Sequence, residues 1–221
     1  MLQNNTIKFL KDLKKNNNKP WFDTNRKRYE DAKNDFENFI QAVIDTYGKK
    51  DKAIALLKAK DCVFRIYRDV RFSKDKSPYK TNFGASMNKG GKKVSGAGYY
   101  FHLEPGQLFL GGGIYMPMPA ELNKVRQEID YSFKEFKKII DSKKLKSLYG
   151  YLDRSPEFLL TRVPKGYSTD NPAAEFLKLK SYIAITSMNE KEVISKSIVK
   201  KTTVVFETLK PFIDFLNRAL E

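Results

Sequence analysis

The spacing of apolar residues changes along this chain, and the change limits the folds open to it. Pro20 suits the first turn of a helix, and in residues 29–47 apolar side chains recur every three or four positions until Gly48, which predicts a long amphipathic helix. In residues 64–72 and 97–115 the period is two, as in strands. Helical spacing then returns and ends in a helix over 204–220. Helices on both sides of a central group of strands predict an α+β fold, with a central, mainly antiparallel sheet and helices packed around it.

The composition is that of a folded intracellular protein. Hydrophobic residues are 41% of the 221, enough for a sizeable core. No Gly/Ser- or Pro-rich linker divides the chain, so we expect a single domain over residues 1–221. The N-terminal residues lack the features of a secretory signal, and there is no 18-residue apolar run. The one cysteine, Cys62, excludes an internal disulfide, and we expect a cytoplasmic protein with no membrane partner.

Positive charge is concentrated in the middle of the chain. The formal net charge is +16, and residues 58–93 hold 11 basic and 3 acidic residues, a net of +8. Half of the excess in so short a stretch indicates a local anion-binding patch rather than an evenly lysine-rich surface. Three of the nine arginines lie here, at Arg65, Arg68 and Arg71. Arginine binds carboxylate or phosphate oxygens with two parallel donors, whereas lysine is a mobile point charge.

Residues 65–80 are the predicted ligand site. If the segment is extended, period-two spacing separates a polar face from an apolar face. The polar face holds Arg65, Tyr67, Asp69 and Arg71, and the apolar face holds Phe64, Ile66, Val70 and Phe72. A phosphate-bearing or other anionic ligand is expected at nine residues, which are Arg65, Tyr67, Arg68, Asp69, Arg71, Lys74, Lys76, Tyr79 and Lys80. The glycine- and lysine-rich residues 84–98 then predict a mobile loop.

Residues 97–103 and 108–115, joined by a turn at 104–107, predict a β-hairpin. Tyr100, His102 and Glu104 should share one face of its first strand. The only histidine, His102, has an ordinary pKa near neutrality, so His102 or Tyr100 is a candidate proton-transfer group. The alternative is a histidine that is hydrogen-bonded within the sheet for structural reasons. Three glycines at 111–113 indicate either a bulge or a close approach by another backbone or a ligand.

Signatures of cofactor, metal and nucleophilic chemistry are incomplete. Residues 84–93 fail as a phosphate loop because five residues, not four, separate Gly84 from Gly90, and no Ser or Thr follows the lysines. One histidine and one cysteine cannot form a tetrahedral zinc site, and no Ser-His-acid or Cys-His signature is visible. Asp69 and Asp75 each lie between cations and should orient them rather than hold a metal. We therefore expect no cofactor and no metal.

Four stretches are distinctive when taken together. They are residues 17–22 (Asn-Asn-Lys-Pro-Trp-Phe), residues 65–81, the run Gly98-Tyr99-Tyr100, and residues 164–172 (Pro-Lys-Gly-Tyr-Ser-Thr-Asp-Asn-Pro). These residues resemble the domain of unknown function 2461 family, and the resemblance covers nearly the whole chain. It implies a single intracellular α+β unit of a kind widespread among bacteria. It implies no particular activity, cofactor or catalytic residue.

Two interpretations make the chain a binding protein. In the first, the patch binds a phosphate-bearing or other anionic small molecule. In the second, the partner is nucleic acid, held through its backbone by the patch together with Lys89, Lys92 and Lys93.

Two further interpretations assign the patch other roles. In one, the chain is an enzyme whose patch orients an anionic substrate while His102 or Tyr100 transfers a proton. Both side chains should then face the same side of the sheet as the arginine row. In the other, Arg65, Asp69 and Arg71 form an internal ion-pair network that only stabilises the fold.

Overall fold

The computed structural model describes all residues, Met1–Glu221, and confirms the α+β fold. Four strands form one antiparallel sheet in the order β1-β2-β3-β4. The strands are β1 Phe83–Met87, β2 Gly98–Leu103, β3 Leu108–Ile114 and β4 Tyr182–Met188. The helices are α1 Asn4–Lys15, α2 Lys19–Thr24, α3 Arg26–Tyr47, α4 Ala59–Cys62, α5 Pro119–Tyr131, α6 Phe133–Ile140, α7 Lys143–Tyr149, α8 Ala174–Leu177, α9 Glu190–Val193 and α10 Ile198–Arg218, with a 3-10 turn at Pro156–Phe158. None of the helices combines the length and the apolar character needed to traverse a lipid bilayer.

The chain divides into two compact units, each made of several segments. The first comprises Met1–Val94, Tyr100–Leu110 and Ser187–Val204, and the second comprises Ser95–Tyr99, Gly111–Thr186 and Val205–Glu221. All the predicted site residues belong to the first unit.

Helix α3 provides much of the core of the first unit. Its predicted apolar stripe is buried, and Phe36 packs on Phe83 of β1 with ring centroids 5.4 Å apart. Phe39 meets Phe101 of β2 edge-on at 4.7 Å. The sequence pattern predicts one helix from Pro20 to Gly48, but the structure divides it into α2 and α3. The break falls at Asn25, whose side-chain amide donates to the Trp21 carbonyl and so closes α2.

The strands of the first unit have one apolar face and one mixed face. The apolar face is fully buried and consists of Phe83, Ala85, Met87, Phe101, Leu103, Leu108 and Leu110. The opposite face, here called the outer face, is half-buried and carries Ser86, Tyr100, His102 and Phe109. This alternation follows from the period of two in a strand.

The predicted hairpin is present, and the turn follows its sequence signals. Strands β2 and β3 are joined at residues 104–107, where the Gln107 N–H donates to the Glu104 carbonyl at 2.9 Å and Gly106 has φ +88°. The expected loop at 84–98 is wrong in its first part, because residues 84–87 belong to β1. Gly84 lies within this strand, where its missing side chain makes room for Tyr100 on the neighbouring strand.

The glycines at 111–113 allow the backbone of β4 to approach β3 within the second unit. A Cβ atom on Gly113 would lie 1.9 Å from the Tyr182 carbonyl oxygen, and one on Gly111 would lie 2.5 Å from the Ala184 oxygen. Gly113 also has φ +130°. Close approach by another backbone, one of the two predicted explanations, therefore accounts for these glycines.

Two asparagines use their side-chain amides to pair with an extended backbone. In the second unit, Asn217 Oδ1 accepts from the Ala97 N–H at 2.9 Å, and its Nδ2 donates to the Ala97 carbonyl at 3.1 Å. In the first unit, Asn17 makes the same pair of bonds with Tyr79, at 3.1 Å and 2.9 Å. Each asparagine therefore satisfies both polar groups of one backbone residue, as a neighbouring strand would.

Candidate functional site

The predicted site residues lie in an out-and-back segment at 64–80, here called the basic segment. Its two arms are joined by the single bridge Tyr67↔Tyr79 and by bonds from Arg68 N to Pro78 O (3.0 Å) and from Lys80 N to Ile66 O (2.7 Å). The arms are extended, but no regular strand forms, so the predicted strand is wrong in that respect. Pro78 has no N–H to donate, which helps to limit the pairing of the two arms.

Exposure along the first arm alternates as the sequence pattern predicts. Arg65, Tyr67, Asp69 and Arg71 are exposed, whereas Phe64, Ile66, Arg68 and Val70 are buried or half-buried. Phe72 departs from the pattern, because it is 96% exposed at the far end of the arm instead of lying on the covered side. The polar row therefore faces water along one side of the basic segment.

Two of the three arginines are already paired with aspartates. Arg71 binds Asp69 with two parallel bonds, Nε to Oδ1 at 3.0 Å and Nη2 to Oδ2 at 2.7 Å, and these bonds lower the pKa of Asp69. Arg68 forms an ion pair with Asp75. Hydrogen bonds from Ser77, followed by that from Arg68, lower the pKa of Asp75 to about 2. Asp69 therefore orients one of its cationic neighbours, Arg71, whereas Asp75 pairs with Arg68 instead of with Lys74 or Lys76, which flank it in the sequence.

The ion pairs do not form an internal network. The side chains of Arg71 and Asp69 are 76% and 47% exposed, and Arg65 forms no ion pair. Ion pairs in water contribute little to stability. The expectation of an internal network of Arg65, Asp69 and Arg71 is therefore wrong, because the segment lies at the surface.

Residues 17–22 hold the second arm of the basic segment. Asn17 pairs with the Tyr79 backbone, and Asn18 caps α2 by accepting from the Trp21 N–H at 3.0 Å. Phe22, which is fully buried, stacks on the Tyr79 ring with centroids 3.9 Å apart and 12° between planes. Tyr79 is therefore only 4% exposed, and its ring anchors the second arm to the core.

Arg65 and Lys80 form a like-charged pair beside an aromatic ring. Lys80 Nζ lies 5.4 Å from the centroid of the Phe64 ring, and burial followed by the charge of Arg65 lowers the pKa of Lys80. Neither Lys80 nor Arg65 forms an ion pair with a carboxylate. The ring of Phe64 in turn contacts Tyr100 of β2, with centroids 6.5 Å apart. The structure therefore brings Lys80 and Tyr100 to the same ring, on the outer face.

Tyr100, His102 and Glu104 share that face, as predicted, and form a chain of hydrogen bonds. The Tyr100 hydroxyl lies 3.1 Å from His102 Nδ1, and His102 Nε2 lies 3.3 Å from Glu104 Oε2. A carboxylate only accepts, so Nε2 carries the proton and Nδ1 accepts from Tyr100. The Thr81 hydroxyl donates to the other Glu104 oxygen at 2.7 Å. We call this chain, from Tyr100 to Glu104, the relay.

Burial and hydrogen bonding set the charge states of the relay. Burial lowers the pKa of His102 below its ordinary 6.5, although the bond and charge of Glu104 act in the opposite direction. Burial alone would raise the pKa of Glu104, but hydrogen bonds from Thr81 and His102 lower it overall. The Phe109 ring lies parallel to the His102 ring, with centroids 4.5 Å apart. At neutral pH the relay therefore holds a neutral imidazole between a phenol and a carboxylate.

The structure separates the predicted site residues into two groups. Lys80, with Arg65 beside it, shares Phe64 with Tyr100, whereas the other cations lie further out on the basic segment. In the part of the basic segment that lies away from Phe64, Arg68 and Arg71 bind aspartates, and Lys76 donates to the Val70 carbonyl at 3.0 Å. Sequence reasoning did not select four contributors to the site, which are Phe64, Thr81, Gly84 and Phe109. The register between neighbouring segments places these four residues beside the relay, and no pattern in the sequence around each of them predicts that position.

Fold and site together define an α+β protein with a half-buried phenol–imidazole–carboxylate chain, whose Tyr100 shares the Phe64 ring with Lys80. The chain belongs to the DUF2461 family, described as conserved hypothetical protein, whose model matches residues 5–215. The family resemblance of the sequence is thereby confirmed. No curated protein and no solved structure matches the chain.

Proposed function

We propose that the protein binds a phosphate-bearing or other anionic small molecule at Arg65 and Lys80, beside Tyr100. The observation that carries this proposal is that Arg65 lies close enough to Lys80 for its charge to lower the pKa of Lys80, while neither side chain forms an ion pair with a carboxylate. By contrast, Arg68 and Arg71 of the same segment each form an ion pair with an aspartate. An oxyanion between Arg65 and Lys80 would supply the missing negative charge.

Electrostatics favour an anion at this position. Partial burial, followed by the charge of Arg65, disfavours the charged form of Lys80, and burial also weakens the screening by water. A bound phosphate reverses the sign of the interaction and raises the pKa of Lys80. Arg65 is exposed and offers its planar fork of donors to two oxygens at once. Tyr67, which is 42% exposed, lies on the same row and adds a hydroxyl donor.

The other predicted ligand residues contribute at longer range. Lys74 and Lys76 are exposed, and with the paired arginines they keep the local potential positive. Such a potential attracts anions from solution without contacting them. The proposal therefore assigns direct contact to Arg65 and Lys80, and steering to Arg68, Arg71, Lys74 and Lys76.

A calorimetric titration with inorganic pyrophosphate at low salt tests the proposal. Arg65→Gln and Lys80→Gln should each weaken binding by about tenfold to a hundredfold, since a charge-assisted hydrogen bond contributes about 1.5–3 kcal/mol. Arg162→Gln is the matched control, because Arg162 is an exposed arginine without an ion pair far along the sequence. Arg65→Lys retains the charge and should still weaken binding, because the fork is lost. Absence of binding, or equal losses in Arg65→Gln and Arg162→Gln, would overturn the proposal.

A second candidate function is binding of nucleic acid through its backbone, and Phe72 favours it. This ring is 96% exposed, and the Arg71 guanidinium lies 5.9 Å from its centroid. Exposed aromatic rings among cations stack on unpaired bases in many single-strand binders. Mixed-sequence RNA should then bind with a steep salt dependence, and Phe72→Ala should weaken RNA binding without changing pyrophosphate binding. No RNA binding at low salt would eliminate this candidate.

A further inference from the structure

We propose that Tyr100 is a catalytic acid–base residue for the ligand bound at Arg65 and Lys80, with His102 and Glu104 as its positioning residues. This inference rests on the proposed function, since it takes the anion site as the place where the substrate binds. It adds a reaction class, proton transfer to and from a phosphate-bearing substrate.

Each link of the relay is held in one orientation. Thr81 and His102 each engage a different oxygen of Glu104, so the carboxylate cannot rotate without losing a bond. Glu104 in turn fixes the proton of the imidazole on Nε2, which leaves the Nδ1 lone pair facing the Tyr100 hydroxyl at 3.1 Å. Phe109 stacks on the His102 ring and restricts its tilt. This order of acceptor, imidazole and hydroxyl is the arrangement that activates a hydroxyl group in enzymes.

The proton balance of the relay closes without a further reagent. The Tyr100 proton moves to His102 Nδ1, and the resulting imidazolium is paired with Glu104. The phenolate oxygen then accepts one proton from the substrate, and the reverse steps return a proton to it. A reaction that removes and restores one proton, such as an isomerisation, therefore needs no oxidant, reductant or metal. Lys80, on the shared Phe64 ring, provides positive charge for the developing anions.

The backbone also leaves space for the Tyr100 hydroxyl. A Cβ atom on Gly84 would lie 2.5 Å from Tyr100 Oη and 3.2 Å from its Cζ. Any other residue at this position of β1 would push the phenol away from His102. A glycine in the middle of a strand costs stability, and here its absence of a side chain preserves the geometry of the relay.

Chemical labelling measures the activation of Tyr100 directly. 4-(Fluorosulfonyl)benzoate is a small anionic reagent: a bond forms between the phenol oxygen and sulfur, fluoride leaves, and the phenol proton passes to His102 Nδ1. Tyr131 and Tyr151, which are 92% and 78% exposed, are internal controls within the same chain. Peptide mass spectrometry should show Tyr100 modified on the order of tenfold faster than either control.

Variants separate activation from simple exposure. His102→Gln and Glu104→Gln should reduce the rate at Tyr100 to that of the controls or below, and Arg162→Gln should not change it. If Tyr100 in the native protein reacts no faster than Tyr131, the inference is overturned. Should His102→Gln fail to fold, the native protein still provides a test through the nitrogen chemical shifts of its single imidazole. A proton on Nδ1 instead of Nε2 would also overturn the inference.

The two proposals fail in different ways. In one outcome, neutral benzenesulfonyl fluoride modifies Tyr100 as rapidly as the anionic reagent does, and pyrophosphate does not protect it. Tyr100 would then be activated but would not lie at an anion site, which overturns the inference as stated. Binding of pyrophosphate with slow modification of Tyr100 by both reagents would support the proposed function and overturn only the inference. Rapid, pyrophosphate-protected modification supports both.

Discussion

The ring of Phe109 lies 4.5 Å from the ring of His102, with 10° between their planes. This contact helps to exclude water from one face of the imidazole, and burial is the main cause of the lowered pKa of His102. Phe109→Ala should therefore raise the pKa of His102 toward 6.5. NMR titration of the one histidine in the chain gives this value without assignment of other residues. Phe72→Ala removes an exposed ring instead and should leave the pKa unchanged.

Stability should fall as the pH drops below 6.5, because of His102. Its folded pKa is lower than the unfolded value of 6.5, so the unfolded chain binds more protons between these two values. The free energy of unfolding therefore decreases from pH 6.5 down to the folded pKa of His102. Denaturant unfolding of the native chain and of His102→Gln isolates this contribution, since glutamine does not titrate. If both proteins lose stability equally across that window, His102 is not buried in its neutral form.

The glycines of the hairpin should differ sharply in their tolerance of alanine. Gly113 has φ +130°, and a Cβ there would overlap the Tyr182 carbonyl at 1.9 Å, so Gly113→Ala should cost on the order of 3 kcal/mol or more. Gly106 has φ +88°, and a methyl group there would meet no atom within 4 Å, so Gly106→Ala should cost only about 1 kcal/mol. Chemical denaturation of both variants tests this difference. Equal costs would contradict the close approach of β4.

The pairing of Asn17 with Tyr79 predicts a large effect from a single atom. In Asn17→Asp, an oxygen replaces the Nδ2 donor and faces the Tyr79 carbonyl, so one hydrogen bond becomes a repulsion. We expect a loss of about 1–3 kcal/mol in the free energy of unfolding, and weaker pyrophosphate binding as the second arm loosens. Asn16→Asp is the control, because the exposed Asn16 side chain bonds only within its own helix, to the Asp12 carbonyl. A similar loss in both variants would show that Asn17 does not hold the arm.

Arg126 is a buried arginine without a carboxylate partner. It is 6% exposed, its Nη2 donates to the Leu179 carbonyl at 3.0 Å, and its Nε has no partner. Burial of an unpaired charge is costly, so Arg126→Met, which retains an apolar stem of similar length, should keep or increase stability. Arg126→Ala should lose about 2–4 kcal/mol, because it leaves a cavity. A loss in Arg126→Met as large as that in Arg126→Ala would show that the guanidinium itself is required.

The sequence pattern was sufficient where one segment carried its own signal. Helix α3 and the hairpin follow from the spacing of apolar residues, because each element buries its own periodic face. The period of two alone places Tyr100, His102 and Glu104 on one face. These predictions needed no knowledge of a partner segment.

The pattern failed where a neighbour decides the structure. Residues 64–72 alternate like a strand, but their opposite arm contains Pro78 and offers too few partners for a regular ladder. Residues 84–98 have the composition of a loop, yet residues 84–87 pair with β2. Tyr100 of β2 fills the space above Gly84. The meeting of Lys80 and Tyr100 on the Phe64 ring depends on strand register, which no single segment of sequence records.

The hydrogen bonds of Asn17 with Tyr79 and of Asn217 with Ala97 also make these two asparagines sensitive to deamidation. Asparagine amides convert slowly and irreversibly to carboxylates in water, and Asn17 and Asn217 each depend on the amide nitrogen for one of their two backbone bonds. While the fold holds both ends of the amide, attack by the following backbone nitrogen is hindered. Once one conversion occurs, the new carboxylate faces a carbonyl oxygen and favours opening. Deamidation at either position therefore increases with the time that a molecule spends partly unfolded, and refolding does not reverse it.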